Sequence, residues 1–256
     1  MSSRTFAPRE RLDGQVAVIT GGTGAIGSAT AMRMASLGAR VVILHRGLAL
    51  DAQALLSKLE GDGHLAVQGS VTDSASLQAA AQTVKAVAGG ATILVNCAGF
   101  TKPVPARDLE GLTDALIDET FAVNWRGMFA SIRAFTPQLQ EKGEGVIVNI
   151  SSIAASSGLG SNLAYAAVKA GTDALTKGLA KTLAPRIRVL AVSPGVVDTP
   201  FVPGRGADFN DKVGPSIPLK RVGVADDVAA AIVACCTSMT FATGSVFIAD
   251  GGRHLG

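Results

Sequence analysis

Seven short hydrophobic runs recur along the chain, and none of them alternates regularly with polar residues. The runs lie at residues 15–20, 40–45, 64–69, 91–96, 145–150, 188–193 and 245–250. A strand with one face in water alternates apolar and polar positions, whereas continuous Val, Ile and Leu runs are typical of strands covered on both faces. The pattern therefore predicts a parallel sheet buried between two layers of helices.

The segments between these runs are compatible with helices. They comprise residues 24–37, 74–88, 108–140, 162–183 and 225–238. Strand and helix alternate from one end of the chain to the other, and right-handed crossovers then give a doubly wound sheet. We therefore expect an α/β protein in which residues 1–256 form a single Rossmann-type domain, with a seven-stranded parallel sheet flanked by helices on both faces.

One connection departs from this alternation. Residues 199–221, between the sixth run and a late helix, are rich in Pro and Gly. An irregular connection of this length within a compact domain is often a binding loop or a lid. The segment predicts a substrate loop or lid, and the alternative is a mobile surface loop.

Composition and charge narrow the classes of partner. The chain has 256 residues, 48% of them hydrophobic, and a formal net charge of +3. This apolar fraction suffices for a substantial core, so disorder is excluded as the dominant state. A charge this small and dispersed argues against nucleic acid or a membrane surface as the main partner. We expect a neutral or anionic small molecule instead.

The cysteines and the first residues indicate the compartment. Cys97, Cys235 and Cys236 show neither a disulfide framework nor metal-ligand spacing, which suits a reducing environment and predicts no metal site. The first residues lack the apolar core of a signal peptide, and no segment has the uncharged length of a membrane span. The expected location is the cytoplasm.

The segment TGGTGAIG, residues 20–27, leads from the first run into the first helix. Glycines permit positive φ and close approach of the backbone, so a diphosphate could lie against the amides and the positive dipole at the helix N-terminus. Gly22, Gly24 and Gly27 match the pattern G-x-G-x-x-G. The match lies between the first predicted strand and the first predicted helix, where the pattern indicates dinucleotide binding much more strongly than it does elsewhere. The turn predicts a phosphate site, and the alternative is a tight structural turn.

The end of the second run bears on which dinucleotide is bound. A carboxylate there favours the free ribose hydroxyls of NAD(H), whereas a cation favours the 2′-phosphate of NADP(H). This chain has His45 and Arg46 and no acid at that turn. The turn predicts that NADP(H) is preferred and NAD(H) possible, and the alternative is that Arg46 is simply solvated.

Tyr165 and Lys169, in YAAVK at residues 165–169, lie four residues apart in a predicted helix. Side chains at this spacing share a face, with Cβ atoms roughly 6 Å apart, so the ammonium can approach the phenol. Bringing a tyrosine from a pKa of about 10 to near 7 requires roughly 4 kcal/mol of preferential phenolate stabilisation. Lys169 and an oxidised nicotinamide have the right sign of charge to supply it. The alternative is an exposed Tyr and Lys on a helix surface.

A serine follows the fifth run, where the carboxyl ends of parallel strands line a ligand crevice. A hydroxyl there can hydrogen-bond a substrate oxygen. Ser151 and Ser152 both fit this position on the residues alone.

Six segments occur in an order that resembles the short-chain dehydrogenase/reductase family, from about Leu12 to Gly252. They are TGGTGAIG, NCAG at 96–99, VNWRG with Asn124, NISSIAA with Ser152, YAAVK, and SPGVVDT at 193–199. The resemblance implies an NAD(P)-dependent oxidoreductase that moves a hydride between nicotinamide C4 and a carbonyl or secondary alcohol carbon. It also implies a catalytic tetrad of Asn124, Ser152, Tyr165 and Lys169, with Tyr165 as the proton carrier and Asn124 holding a water, and it selects Ser152 over Ser151.

The same resemblance, together with the glycine turn and the end of the second run, gives a set of cofactor contacts. The set is Gly21, Thr23, Gly24, Ile26, Gly27, His45, Arg46, Ser70, Val71, Asn96, Ala98, Gly99, Tyr165, Lys169, Pro194, Gly195, Val197 and Thr199. Many members have Asp at the position of Ser70 and a second Asn at the position of Cys97. These two differences affect the predicted contacts with the adenine more than they affect catalysis. Members of the family usually form homotetramers, so we expect a homo-oligomer of that kind.

Two other functions remain open on the sequence. The spacing TGxxGxxG, with Ala25 inside it, resembles the extended branch that acts on nucleotide sugars, which suggests an epimerase or dehydratase. Only residues 170–256 follow Lys169, less than that branch uses for its substrate portion. A dinucleotide-binding sensor without chemistry would need the turn but not the tetrad. Segments 100–107, 153–162 and 199–218 predict a mostly apolar substrate pocket with no evident anchor, and 3-oxoacyl reduction is suggested by analogy alone.

Overall fold

The computed structural model of the protein describes residues 11–47 and 49–255. Its centre is one sheet of seven strands in the order β3-β2-β1-β4-β5-β6-β7, and every neighbouring pair is parallel. The strands are β1 (Val16–Thr20), β2 (Arg40–His45), β3 (Leu65–Gln68), β4 (Ile93–Asn96), β5 (Gly145–Ile150), β6 (Ile187–Pro194) and β7 (Val246–Ala249). Each coincides with one of the seven hydrophobic runs, so the predicted sheet is confirmed.

Helices fill the connections between the strands. They are α1 (Ala25–Ser36), α2 (Ala49–Leu56), α3 (Ser74–Ala88), α4 (Asp114–Phe121), α5 (Gly127–Lys142), α6 (Ala154–Ser157), α7 (Leu163–Leu183), α8 (Phe209–Val213) and α9 (Ala225–Cys236). The short helices α2, α6 and α8 were not predicted. Helix α8 and a 3-10 turn at Gly214–Ser216 lie inside the segment predicted as a lid.

The predicted helix at 108–140 differs from the observed one at its start and in its middle. It begins only at Asp114, because the Thr113 side chain accepts a hydrogen bond from the Leu116 amide and caps the first turn. A π-helical turn at Ala122–Arg126 then joins α4 to α5 and contains the buried Asn124. π-Helical turns inside long helices are frequent at functional sites.

Two apolar layers hold the sheet between the helices, as the continuous hydrophobic runs predicted. On one face β-strand side chains such as Ile19 and Ile43 pack with α1, α2 and α9. On the other face Val18 and Leu94 pack with α3, α5 and α7. Burial on both faces stabilises the strands by roughly 25 cal/mol per Å² of apolar surface removed from water. In the described part of the chain, no helix is long and apolar enough to cross a membrane.

The strand order reverses beside β1, which pairs with β2 on one side and β4 on the other. Crevices that bind ligands in such sheets lie at the carboxyl ends of the strands at this point. The Thr20 hydroxyl ties the two strand ends together, since it accepts hydrogen bonds of 3.1 Å from the amides of Cys97 and Ala98. The topology therefore places the glycine turn and the NCAG segment against each other.

Candidate active site

The glycine turn packs so closely that side chains would not fit at two of its positions. Gly21 has φ +63°, and a Cβ there would lie 2.7 Å from the Ala98 Cα. A Cβ on Gly27 would lie 2.5 Å from the Gly21 carbonyl oxygen. Gly24 is the N-cap residue of α1 and offers no side chain to its first amides. The turn thus leaves the N-terminus of α1 open to an anion, which fits the diphosphate of a dinucleotide.

A cavity of about 760 Å³ extends from this turn along the carboxyl ends of the strands. Its lining includes most of the residues predicted for the site: Gly21, Gly24, Ile26, Gly27, Ala98, Gly99, Ser152, Tyr165, Lys169, Pro194, Gly195, Val197 and Thr199. The other predicted residues lie outside this lining: Asn124, Thr23, His45, Arg46, Ser70, Val71 and Asn96. The structure thus brings the glycine turn and the YAAVK segment into one cavity.

Tyr165 is positioned by the first turn of α7. The cap residue Asn162 accepts a hydrogen bond of 2.6 Å from the Tyr165 amide, and its own amide donates to the Lys102 carbonyl at 2.8 Å. This links the start of α7 to the segment after β4. Asn162 is not among the residues predicted from the sequence, although an Asn directly before a helix is a recognisable capping signal.

Tyr165 is half-buried and lines the cavity together with Ser152. Burial raises the pKa of its phenol above the usual value, because the phenolate loses hydration, whereas the neighbouring Ser152 hydroxyl and the charge of Arg205 lower it. The Phe201 ring lies beside the phenol, with 6.0 Å between ring centroids. The protein's own groups thus keep Tyr165 protonated at neutral pH, and they do not by themselves provide the pKa near 7 expected for the assembled site.

Lys169 lies one turn further along α7 and is only 6% exposed. Its Nζ donates a 2.6 Å hydrogen bond to the Ile150 carbonyl and lies 5.4 Å from the centroid of the Tyr165 ring. Burial lowers the pKa of Lys169 to about 8, and the charge of the nearby Asp173 opposes this shift. The nearby Cys97 remains a thiol, because burial raises its pKa to about 12.

The Asn124 side chain is fully engaged with the backbone. Its Oδ1 accepts a 3.0 Å hydrogen bond from the Phe100 amide, and its Nδ2 donates to the carbonyls of Phe100 and Thr120 at 2.8 and 2.9 Å. These bonds fix the segment after β4 against the long helix. A buried Asn can serve in this way to hold backbone in place, and the predicted role of Asn124 in holding a water stays a prediction.

The residues predicted to meet the adenosine end differ in exposure. His45 is 5% exposed and its Nδ1 faces the Gly47 carbonyl at 3.2 Å, whereas Arg46 lies exposed beside it. The Ser70 hydroxyl pairs with that of Thr72 at 2.9 Å. Arg46 is therefore the accessible cation at the end of β2.

Of three further predicted cofactor contacts, two are fixed by packing or by a hydrogen bond, and the third is exposed. Val71 packs closely against Gly127. A Cβ added to Gly127 would lie only 2.9 Å from the Val71 Cγ2. Asn96 donates to the Asn149 side chain at 2.9 Å, and Thr23 is exposed on the glycine turn. These contacts keep the ends of β3 and β4 in place around the turn.

The segment after β6 closes the other end of the cavity. The Gly195 amide donates to the Ala249 carbonyl at 3.2 Å, and a Cβ on Gly195 would lie 2.6 Å from the Asp250 Cβ. Val197 forms an isolated parallel bridge with Gly223. These contacts hold residues 194–199 in a fixed path along the cavity, where they were predicted to meet the nicotinamide carboxamide.

Comparisons with known proteins agree with this geometry. Residues 22–254 match a family model described as enoyl-(acyl carrier protein) reductase. The chain is 35% identical over 244 residues to the granaticin polyketide synthase putative ketoacyl reductase 2 of Streptomyces violaceoruber, covering 94% of this chain and 96% of that protein. It is 38% identical over 252 residues to D-threitol dehydrogenase of Mycolicibacterium smegmatis, covering 96% of this chain and 95% of that protein.

A solved structure supports the same assignment. The 3-ketoacyl-(acyl-carrier-protein) reductase from Brucella melitensis, complexed with NADH, superposes with a TM-score of 0.85 at 33% sequence identity. The match covers 95% of this chain and 99% of that one.

Replacing Gly27 with alanine tests the close packing of the glycine turn. Since the new Cβ meets backbone atoms at 2.5 and 2.8 Å, we expect a loss of about 1–3 kcal/mol in the free energy of unfolding and at least a tenfold weaker affinity for a nicotinamide dinucleotide. Gly178→Ala is the control, because a Cβ on this α7 residue meets nothing within 4 Å. Urea unfolding and fluorescence titration measure both quantities, and equal behaviour of the two variants would contradict the packing argument.

The buried Lys169 predicts a pH dependence of stability. Burial lowers its pKa from 10.5 to about 8, so between these values the unfolded chain binds a proton that the folded chain has released, and the free energy of unfolding rises with pH. Relative to Lys169→Met, the free energy of unfolding of the wild-type protein should rise by roughly 3 kcal/mol as the pH rises from 8 to 10.5, and this gain should be lost as the pH falls back to 8.

The comparison with Lys169→Met is needed because other groups titrate in the same range. The raised pKa values of Cys97 and Tyr165 act with the opposite sign, and they are present in both proteins. Urea unfolding from pH 7 to 10.5 gives the difference. Parallel stability curves for the two proteins would show that Lys169 is not dehydrated.

Proposed function

The chain belongs to the short-chain dehydrogenase/reductase family, and on that basis we propose that Tyr165 carries the proton when a carbonyl and a secondary alcohol are interconverted. The protein is an NAD(P)-dependent oxidoreductase acting on CH–OH or C=O groups. The observation that supports the proposed roles is that Ser152, Tyr165 and the buried Lys169 line one cavity together with the glycine turn.

The residues present fit a nicotinamide dinucleotide. The open N-terminus of α1 and the close-packed Gly21 and Gly27 suit its diphosphate, and the fixed segment after β6 suits its carboxamide. When bound, the nicotinamide supplies or accepts the hydride. Lys169, held by the Ile150 carbonyl, places a positive charge beside the phenol.

Tyr165 is in the protonation state that reduction requires of a proton donor. A phenol whose pKa is raised by burial holds its proton at neutral pH and can donate it to the oxygen of a carbonyl that is gaining a hydride. Ser152 hydrogen-bonds the same oxygen and polarises the carbonyl. In the direction of oxidation the phenol must first lose that proton, and Arg205 and Ser152 both lower the free-energy cost of this loss.

The substrate we propose is a compound with a 3-oxoacyl group. The support is the similarity to ketoacyl reductases together with an apolar lining that includes Leu159, Val202 and Phe209. The 38% identity to a D-threitol dehydrogenase favours polyol oxidation as a second candidate. A panel of both classes, assayed by nicotinamide absorbance in both directions, decides between them, and tight dinucleotide binding without turnover would indicate a sensor instead.

We also propose that NADP(H) is preferred, with Arg46 binding the 2′-phosphate. The exposed guanidinium of Arg46 at the end of β2, next to the buried His45, supports this preference. A guanidinium suits phosphate because it donates paired hydrogen bonds.

The remaining proposals concern assembly and location. We propose a single domain that forms homotetramers through its long helices and C-terminal region, where Phe121 is 41% and Phe241 99% exposed. Residues 199–221 are proposed to close over substrate, because several of them line the cavity. A cytoplasmic location is supported by three free cysteines.

Tyr165→Phe tests the proton carrier. We expect kcat to fall by at least roughly a hundredfold, since general acid–base catalysis contributes about 10²–10⁴-fold. Dinucleotide affinity should change by less than about threefold, a difference below 1 kcal/mol. Steady-state kinetics and fluorescence titration measure the two effects, and wild-type turnover would refute the assignment.

The serine pair supplies a matched control. Ser152→Ala should lower kcat because the phenol and the substrate oxygen lose a hydrogen bond, whereas Ser151→Ala should leave kcat within a few-fold of wild type. Ser151 is 1% exposed, and its hydroxyl faces the Lys169 carbonyl at 3.5 Å. A larger loss in Ser151→Ala would reassign the catalytic serine.

Arg46→Asp tests the cofactor preference. Charge-assisted hydrogen bonds contribute about 1.5–3 kcal/mol, so removing the cation and adding a carboxylate should lower the ratio of kcat/KM for NADPH over NADH by at least tenfold. Arg46→Gln, which only removes the charge, should have an intermediate effect. An unchanged ratio in both variants would show that Arg46 is solvated and not a phosphate ligand.

A further inference from the structure

Arg205 lies in the segment 199–221 and lines the same cavity as Tyr165 and Ser152. One of its guanidinium nitrogens donates a 3.0 Å hydrogen bond to the Val197 carbonyl. The guanidinium carbon also lies 4.5 Å from the centroid of the Phe209 ring. A backbone acceptor and an aromatic face therefore fix the position of this cation. Most surface arginines lack such a pair of contacts.

In the described part of the chain, the charged side chains that line the cavity are all positive. Among the described residues that line it, the charged side chains are Lys169, Arg205 and Arg253, and none is an acid. The Lys169 ammonium is engaged with the Ile150 carbonyl, and Arg253 donates to the Ser216 hydroxyl at 3.4 Å. The cavity therefore favours anionic compounds over cationic ones.

Arg205 retains hydrogen-bonding capacity toward the cavity. Within residues 11–47 and 49–255, its single hydrogen bond is the one to Val197, and no carboxylate forms a salt bridge with it. A guanidinium carries five N–H donors in a planar fork, so most of them remain available. Burial lowers the pKa of Arg205, and the charge of the nearby Asp198, which forms no salt bridge with it, opposes this shift only in part.

The guanidinium lies near the proposed reacting group. Arg205 and Tyr165 are close enough for the charge of each to shift the pKa of the other. Phe201, four residues before Arg205, packs beside the Tyr165 ring at 6.0 Å between centroids. An anion bound by Arg205 would thus belong to the molecule whose carbonyl meets Tyr165.

We propose that Arg205 anchors a carboxylate of the substrate, so that the enzyme acts on free oxo acids or hydroxy acids. This rests on the proposed function and narrows its substrate to compounds whose carboxyl group is free, since the thioester of a 3-oxoacyl group carries no carboxylate at that position. The planar fork suits a carboxylate because both can form two parallel hydrogen bonds. The apolar lining then accommodates the hydrocarbon part of the molecule.

The main test uses matched substrates. A series of 2-, 3- and 4-oxo acids is compared with their methyl esters, which keep the ketone and remove the charge. For the acid that is turned over best, Arg205→Gln should raise KM by about 10- to 100-fold, as expected when a charge-assisted hydrogen bond of about 1.5–3 kcal/mol is lost. The KM for the ester should stay within about threefold, and Arg205→Lys should be intermediate.

Lys212→Gln serves as the control variant. Lys212 lies in the same segment, pairs with Asp208 and does not line the cavity, so the change removes the same charge without touching the proposed anchor. It should leave the KM values for acid and ester unchanged. Equal effects of Arg205→Gln on acid and ester, or a wild-type preference for the ester, would overturn the proposal and leave the reductase function intact.

A binding measurement separates this proposal from the proposed function. Calorimetry compares butanoate with butanamide, which has a similar shape and no charge and, like butanoate, lacks a ketone to be reduced. The wild-type protein and Lys212→Gln should bind butanoate at least tenfold more tightly than butanamide, and Arg205→Gln should lose that difference. This result would support the anchor even if no ketone were turned over, whereas a difference that persists in Arg205→Gln would overturn it.

Discussion

The burial of Lys169 and the partial burial of Tyr165 at the wall of one cavity are the constraint on which the chemistry of this site depends. Burial disfavours the charged form of both groups, and it therefore raises the pKa of the phenol and lowers that of the ammonium to about 8. The Ile150 carbonyl offsets part of this cost through its hydrogen bond with Lys169, and the Ser152 hydroxyl lowers the pKa of the neighbouring phenol. The result is a phenol that holds its proton and a lysine close to losing one. Such a pair responds strongly to any further charge that enters the cavity.

The sheet makes the burial of these two side chains possible. Because β4, β5 and β6 are buried on both faces, their carboxyl ends can hold polar groups against a rigid apolar layer. The Thr20 hydroxyl and the Asn124 side chain then fix the segment after β4 through hydrogen bonds to its backbone. The loops that carry the site are therefore held at the strand ends by side chains from other elements, and not by their own sequence.

Local patterns could be predicted from the sequence, and long-range contacts could not. The seven strands and the glycine turn follow from runs and spacings within a few residues, and the structure agrees with them. The start of the long helix at Asp114 depended on the Thr113 cap, and the π-helical turn around Asn124 has no periodic signal. The second partner of Asn162 is the Lys102 carbonyl, and the partners of Asn124 lie on Phe100. These pairings join segments that are distant in the sequence, so only the fold reveals them.

The two ends of the cavity attract anions by different means. At the glycine turn the attraction comes from backbone amides and the dipole of α1, and a substitution there alters it mainly by changing the shape of the turn. The formal charges of the lining come instead from side chains: Lys169 on α7, Arg205 on the segment after β6, and Arg253 near the C-terminus. A single substitution can reverse a side-chain charge without disturbing the backbone. Recognition of the dinucleotide phosphates therefore depends on the backbone of the fold. The preference for a charged or neutral substrate depends on side chains, and it can change while the fold and the reaction stay the same.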